Sequence, residues 1–203
     1  MSNGTPTLAS ALAEHFAVAG IPPDGGDSEH FAVVRIIGNI PYPIPNTAAR
    51  KRAVKIHDFN HIVSGYATDK VGELEISAWE LASGGCQRFT AAWVLDLGGL
   101  IGGLMVAPRR TCRAFVRGRR QQNLYSLALE TLQPMPVAEA HALVETPVPD
   151  VWRRVPMPLH LTAMVVAALP ATAAMSALWF VAVPAWLIDR RRRSATAAAE
   201  GSM

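Results

Sequence analysis

Cysteine is nearly absent: the 203 residues include two, Cys86 and Cys112, with no CxxC spacing around either. That excludes a disulfide-stapled scaffold and a cysteine-built zinc module, and leaves two thiols suited to a reducing compartment. Charge is also scarce, at 17% of residues, which excludes a disordered polar chain. Aromatic residues make up 7% and lie largely inside apolar runs, too few for a base-stacking platform, so no nucleic-acid partner is expected. The 15 glycines and 15 prolines follow no period, which excludes a collagen-like chain. What remains is abundant apolar material. Half of the residues are hydrophobic and the mean hydropathy is +0.19, more than a soluble domain of this size usually carries, so part of the chain is expected to meet lipid. The net charge of +3 is concentrated in Arg50 to Lys55, Arg109 to Arg120 and Arg190 to Arg193.

The pattern along the chain predicts an all-α protein. Residues 1–45 form an N-terminal unit without a basic n-region; Glu14 and His15 interrupt its apolar stretch, which argues against a secretory signal. Leu8, Leu12 and Phe16 predict a short amphipathic helix ending at Gly20, and Phe31 to Ile37 a short strand or extended segment. Residues 46–144 read as a helical domain. Asn46 is the expected cap of a helix from Thr47 to Ser64, stopped by Gly65, and Asp69 the cap of a second helix reaching about Ser83. A very apolar helix from Cys86 to Ala107, a basic helix to Gly118, a helix from Asn123 to Leu132 and a short piece over Val137 to Val144 complete it.

Residues 145–158 are a Pro-rich linker, and residues 159–203 carry an apolar segment with a basic tail. Leu159 to Ile188 is long enough to cross a bilayer and contains no Asp, Glu, Lys or Arg. Two topologies are compatible with it: a tilted span with a cytoplasmic C-terminus, favoured by Arg190 to Arg193, or a re-entrant hairpin bent at Pro170 that keeps both basic flanks on one side. Either implies membrane association. A buried core helix of a soluble protein is the alternative, which thirty nearly uncharged residues beside an Arg block fit poorly. The expected location is the cytoplasmic membrane of a bacterium.

One constellation carries chemistry. His57 and His61 are four apart on a helix, which places their Cβ atoms roughly 5 to 6 Å apart on one face, a separation at which two imidazoles can share a divalent ion. Glu73 lies in the first turn of the next helix; antiparallel packing of the pair would bring its carboxylate to the same ion. Asp58 projects about 100° away from His57, so it is a fourth ligand, a partner fixing an imidazole, or the residue that moves a proton. A His pair at this spacing also suits a plain solvated helix surface.

The run His57-Asp58-x-x-His61 followed by Glu73, with Gly72, Trp79-Glu80, Gly118-Arg119-Arg120 and Asn123-Leu124-Tyr125 after it, resembles the ubiquinone (coenzyme Q) biosynthesis protein 4 family over roughly Arg50 to Val144. The resemblance implies a mostly helical metalloprotein in which His57, Asp58, His61 and Glu73 bind a divalent metal, usually zinc. It further implies removal of the C1 carboxyl group of a polyprenyl-benzoate precursor with hydroxylation of that ring carbon, at a membrane and among other quinone-pathway enzymes.

Other residues fit such a substrate. Gly98, Gly99, Gly102 and Gly103 lie on a nearly uncharged helix, where they open a slot for a prenyl tail, admit a neighbouring helix, or support a homodimer. Arg110, Arg113 and Arg117 form one basic stripe for anionic headgroups or a substrate carboxylate, and Tyr125 and Glu80 are further candidates for contact near the substrate. Two other functions draw on the same features: a metal-dependent hydrolase, with Asp58 standing where a peptidase helix carries Glu, and a non-catalytic membrane scaffold or prenyl-lipid carrier clamped by the metal.

Overall fold

The computed structural model describes residues 5–20, 22, 29–35, 41–146 and 151–200. Helix dominates, as the pattern predicts. Helix α1 (Leu8–Ala19) starts at a reciprocal capping box between Thr7 and Ser10 and stops at Gly20, whose φ of 67° is the left-handed conformation glycine adopts without cost. Its apolar face, Leu8, Leu12 and Phe16, is buried. That face packs on α2 (Ala48–Ser64) and α7 (Val137–Val144), and backbone hydrogen bonds from Leu8 to Met135 and from Val137 to Pro6 seal the contact.

Strand β1 (Phe31–Arg35) pairs antiparallel with β2 (Pro41–Pro45), Phe31 opposite Pro45 and Arg35 opposite Pro41. Expected residues 36 and 37 of the first strand lie outside the described residues. Three prolines in β2 confine it to an edge, since each removes a ladder donor.

The cap of α2 is Thr47, not Asn46: Thr47 Oγ1 accepts the Arg50 N–H at 3.2 Å. Asn46 is drawn instead into side-chain bonds, accepting from the Arg50 guanidinium and donating to the Glu29 carbonyl. Helix α3 (Lys70–Ala82) begins as expected, with the Asp69 carboxylate accepting the N–H groups of Val71 and Gly72. Helix α4 (Thr90–Val106) begins later than Cys86, because Gly84, Gly85 and Gln87 all take positive φ and hold the preceding residues in a turn. Helix α5 (Pro108–Gly118) opens on its proline.

Residues 123–128 are not helical, and helix α6 is confined to Leu129–Leu132. Long-range hydrogen bonds displace the expected ladder: Asn123 Nδ2 donates to the carbonyls of Glu80 and Gly85, and Asn60 Oδ1 accepts the Leu124 N–H at 3.1 Å. Trp79, Tyr125, Phe59, Phe115, Ile56 and Leu100 are fully buried at the centre.

A single turn, α8 (Val151–Arg154), falls within the Pro-rich stretch, and α9 (Met157–Glu200) then runs without interruption through Pro170 and Pro184. The re-entrant hairpin is therefore not formed. Within α9, Met157–Ser194 is long and apolar enough to cross a membrane. One face of α9, with Met164, Ala168 and Met175, packs on the α4 side of the domain. Further along, Tyr42 donates to the Met175 carbonyl at 2.7 Å and Trp179 Nε1 to the Pro41 carbonyl at 3.0 Å, fastening β2 to the helix.

Candidate metal centre

Two local features bring α2 and α3 together. Gly65 ends α2 with φ 73°, and Gly72 sits so close to the incoming chain that a Cβ there would fall 1.9 Å from the Ala67 carbonyl oxygen. The turn delivers the first residues of α3 against the C-terminal half of α2, where Glu73 faces both histidines. His57 Nε2 lies 3.2 Å from His61 Nε2; the Glu73 carboxylate places one oxygen 3.3 Å from His57 Nε2 and the other 3.3 Å from His61 Nε2. Three ligand atoms thus converge on one point. Donors sharing a tetrahedral zinc ion at 2.0 to 2.1 Å stand about 3.3 Å apart, so the set fits a divalent ion. Burial is graded across it: the His61 side chain is 6% exposed, His57 21% and Glu73 47%, which leaves the Glu73 side open to solvent.

The far edge of each imidazole is anchored. His61 Nδ1 lies 3.0 Å from the Tyr66 carbonyl oxygen, which can only accept, so Nδ1 carries the proton and the Nε2 lone pair faces the centre. His57 Nδ1 lies 3.1 and 3.2 Å from the two oxygens of Glu80, which has no solvent exposure. Such a carboxylate behind a histidine fixes its tautomer and raises its basicity toward a metal. Glu80 is held in turn by Asn60 Nδ2 at 2.7 Å, and Asp96 hydrogen-bonds it from α4. Cys86 Sγ donates to Asp96 Oδ2 at 2.9 Å.

The electrostatics follow from this crowding. Burial alone would push the His57 imidazolium down, but Glu80 and Glu73 outweigh it and hold its pKa well above the ordinary value. Burial opposes the charge of Glu73, yet its hydrogen bonds to both histidines keep the carboxyl far below the usual range. In the buried pair, burial and then Glu80 push the Asp96 carboxyl well up, while His57 holds Glu80 down against its own burial. Burial, with Asp96 and Glu80 nearby, pushes the Cys86 thiol up, leaving it a neutral hydrogen-bond donor. A positive charge between His57, His61 and Glu73 is what this arrangement favours, whether proton or metal.

Asp58 does not join the converging atoms. It is half-buried beside them, and burial raises its carboxyl against the lowering influence of His57 and His61. Arg117 reaches the reverse side of the site: its guanidinium lies over the Tyr66 ring at 5.2 Å and donates to the Ser64 carbonyl, bracing the turn that anchors His61. Arg113 is exposed and lines an open groove of about 340 Å³ with Val116, Arg117, Arg120, Gln121 and Glu145. Tyr125 is buried against Phe89, with no open face for a substrate. Arg110 pairs with Glu75. The glycines of α4 serve close packing: a Cβ at Gly99 would strike Ser77, and one at Gly103 would strike Thr111.

Sequence reasoning gave Glu80 no defined partner and passed over Asn60 and Asp96. Two signals were present. Glu80 follows Glu73 by seven residues, two helical turns on the same face of α3, and Asp96 is the sole charged residue in the apolar run of α4, where a carboxyl is retained only with partners. No protein-family model matches the chain, and no curated protein or solved structure matches it either.

Proposed function

We propose that this protein is a metal-dependent enzyme of isoprenoid quinone assembly that works at the cytoplasmic membrane of a bacterium. The reaction is loss of the C1 carboxyl of a polyprenyl-benzoate as CO2 with hydroxylation of that carbon; water supplies the oxygen and a separate two-electron acceptor takes the electrons. The observation that carries the reading is the convergence of His57, His61 and Glu73, at the spacing of the resembling family, with the buried Glu80 behind His57. Zinc is the metal proposed. When bound, the ion supplies Lewis-acid polarisation of a substrate oxygen.

The protein residues divide the remaining work. His57, His61 and Glu73 hold the ion, while Glu80 and the Tyr66 carbonyl orient the two rings. Asp58, half-buried next to the centre, transfers the proton at the reacting carbon or its new hydroxyl. Arg113, exposed on α5 in the groove it shares with Arg117, is the cation assigned to an anionic headgroup. Membrane association through α9 supplies a prenylated substrate from the lipid phase.

The test is elemental analysis and turnover with detergent-purified protein, comparing wild type with a His57→Ala, His61→Ala double variant. Near-stoichiometric metal lost in the variant, together with loss of CO2 release from a prenylated benzoate given an electron acceptor, supports the reading. Metal-free wild type, or turnover untouched by the double substitution, overturns it. Stoichiometric prenyl lipid that survives metal loss without turnover would make the protein a carrier instead.

A further inference from the structure

Among the described residues, most of the exposed large hydrophobic side chains lie on the outward face of α9. At 100° per residue, Leu159, Val166, Leu169, Phe180, Val181 and Ile188 fall on one side of the helix, opposite Met164, Ala168 and Met175, and each is more than half exposed. The stripe holds no charged residue from end to end, and a water-soluble monomer rarely exposes a contiguous apolar patch of this extent.

What packs on the other side of α9 decides how lipid can cover this stripe. The same helix carries α4 and β2 along its inner face, and at its far end His30 pairs with Asp189 at 3.0 Å and Glu29 with Arg193. A helix crossing the bilayer would carry this sheet with it, and both strands of a two-stranded sheet are edges. Unpaired edge groups in hydrocarbon cost several kcal/mol each, and the ion pairs would lose their solvation as well. Basic residues bracket the stripe at both ends, with Arg154 exposed before it and Arg190 and Arg191 after it. The Arg190 guanidinium rests over the Trp186 ring, a pairing suited to the headgroup level.

We propose that α9 lies in the plane of an anionic bilayer surface, with the stripe from Leu159 to Ile188 sunk among the acyl chains and the helical domain riding on the aqueous side. This inference rests on the membrane association proposed above and not on the quinone chemistry. It makes the protein monotopic. It also places the metal centre, the groove and both basic ends of α9 on one side of the membrane.

Depth measurement tests it. Val166, Ala173, Phe180 and Leu187 lie on the stripe one heptad apart and span about 32 Å of helix, as much as the hydrocarbon thickness of a bilayer. Each is replaced singly by cysteine in a full-length Cys112→Ser background, spin-labelled, and bound to vesicles of phosphatidylcholine and phosphatidylglycerol. Oxygen and nickel-chelate accessibility then report depth. The expected result is one shallow depth, about 5 to 10 Å below the headgroups, at all four sites. A depth profile that rises to a maximum near Ala173 and Phe180 and falls again means a span and overturns the proposal. Labels that remain in water, or that are buried in a lipid-free dimer which ignores vesicles, overturn it too. A Phe180→Glu variant should lose at least tenfold in vesicle partition with unchanged circular dichroism; unchanged partition counts against the proposal. None of these readouts depends on metal or turnover, so failure here is distinguishable from failure of the enzymatic reading.

Discussion

His57 turns its Nδ1 edge to Glu80 at 3.1 Å, and that carboxylate is wholly buried while its imidazole partner keeps its other edge toward a half-open centre. The pair therefore joins the core of the domain to its chemistry. Glu80→Gln keeps the shape but removes the charge that raises the basicity of His57. Metal affinity is expected to fall roughly 10- to 100-fold, with the fold intact, as read by competition against a chromogenic chelator.

Loss of the proposed ion should loosen the contact between α2 and α3. Stabilisation by a ligand at a thousand times its Kd is about 4 kcal/mol, and in a chain of this size each kcal/mol moves Tm by about 2 to 4 °C. Dialysis against a chelator is thus expected to lower Tm by about 8 to 16 °C, with recovery on readdition of metal. In the His57→Ala, His61→Ala double variant the chelator should have no effect.

Proton and metal compete for the same position. Glu80 and Glu73 raise the His57 pKa well above its ordinary value against the opposing effect of burial, which extends the competition between proton and metal to higher pH than at a free imidazole. The sign follows: binding displaces a proton, so apparent metal affinity rises as pH rises through neutrality and falls as pH drops. Calorimetric titration in two buffers of different ionisation enthalpy should show proton release on binding at pH 7.

Asp96 separates charge from shape. Burial and the neighbouring Glu80 push its carboxyl well up toward the neutral form, so Asp96→Asn, which keeps the shape without the charge, is expected to be tolerated within about 1 kcal/mol. Asp96→Ala strands the Cys86 thiol and one side of Glu80, and is expected to cost about 1 to 3 kcal/mol in urea denaturation.

Gly72→Ala probes the geometry that delivers Glu73. The added methyl meets the Ala67 backbone and not a side chain that could swing away, so the turn itself must move. The expected outcome is about 1 to 3 kcal/mol of lost stability, accompanied by weaker metal binding; Ala substitution at exposed Glu139 should change neither.

The parts of this protein that were legible in its sequence are those set by near neighbours. Gly20, Asp69 and the four-residue spacing of His57 and His61 act within a turn or two of helix, so propensity and periodicity capture them. The late start of α4 was not legible, because Gln87 takes φ 48° without any residue type that announces it. Nor was the irregular path of residues 123–128, which depends on Asn60 reaching Leu124 across 64 positions. The same distance rule applies at the centre. Glu73 could be placed by a cap and a helix pair, whereas the support behind His57 needed the packing of α3 against α4 to bring Asp96 to Glu80.

The fastening of β2 to α9 also orders events in time. Tyr42 and Met175 are 133 residues apart, and Pro41 and Trp179 are 138 apart, so the ribosome releases the sheet long before the helix that covers it. A two-stranded sheet is marginal in isolation, so during synthesis this segment has no stable home until α9 emerges. Translation that stalls ahead of Met157 would leave the α4 face and the strands bare together, making such nascent chains the form of this protein most in need of a chaperone.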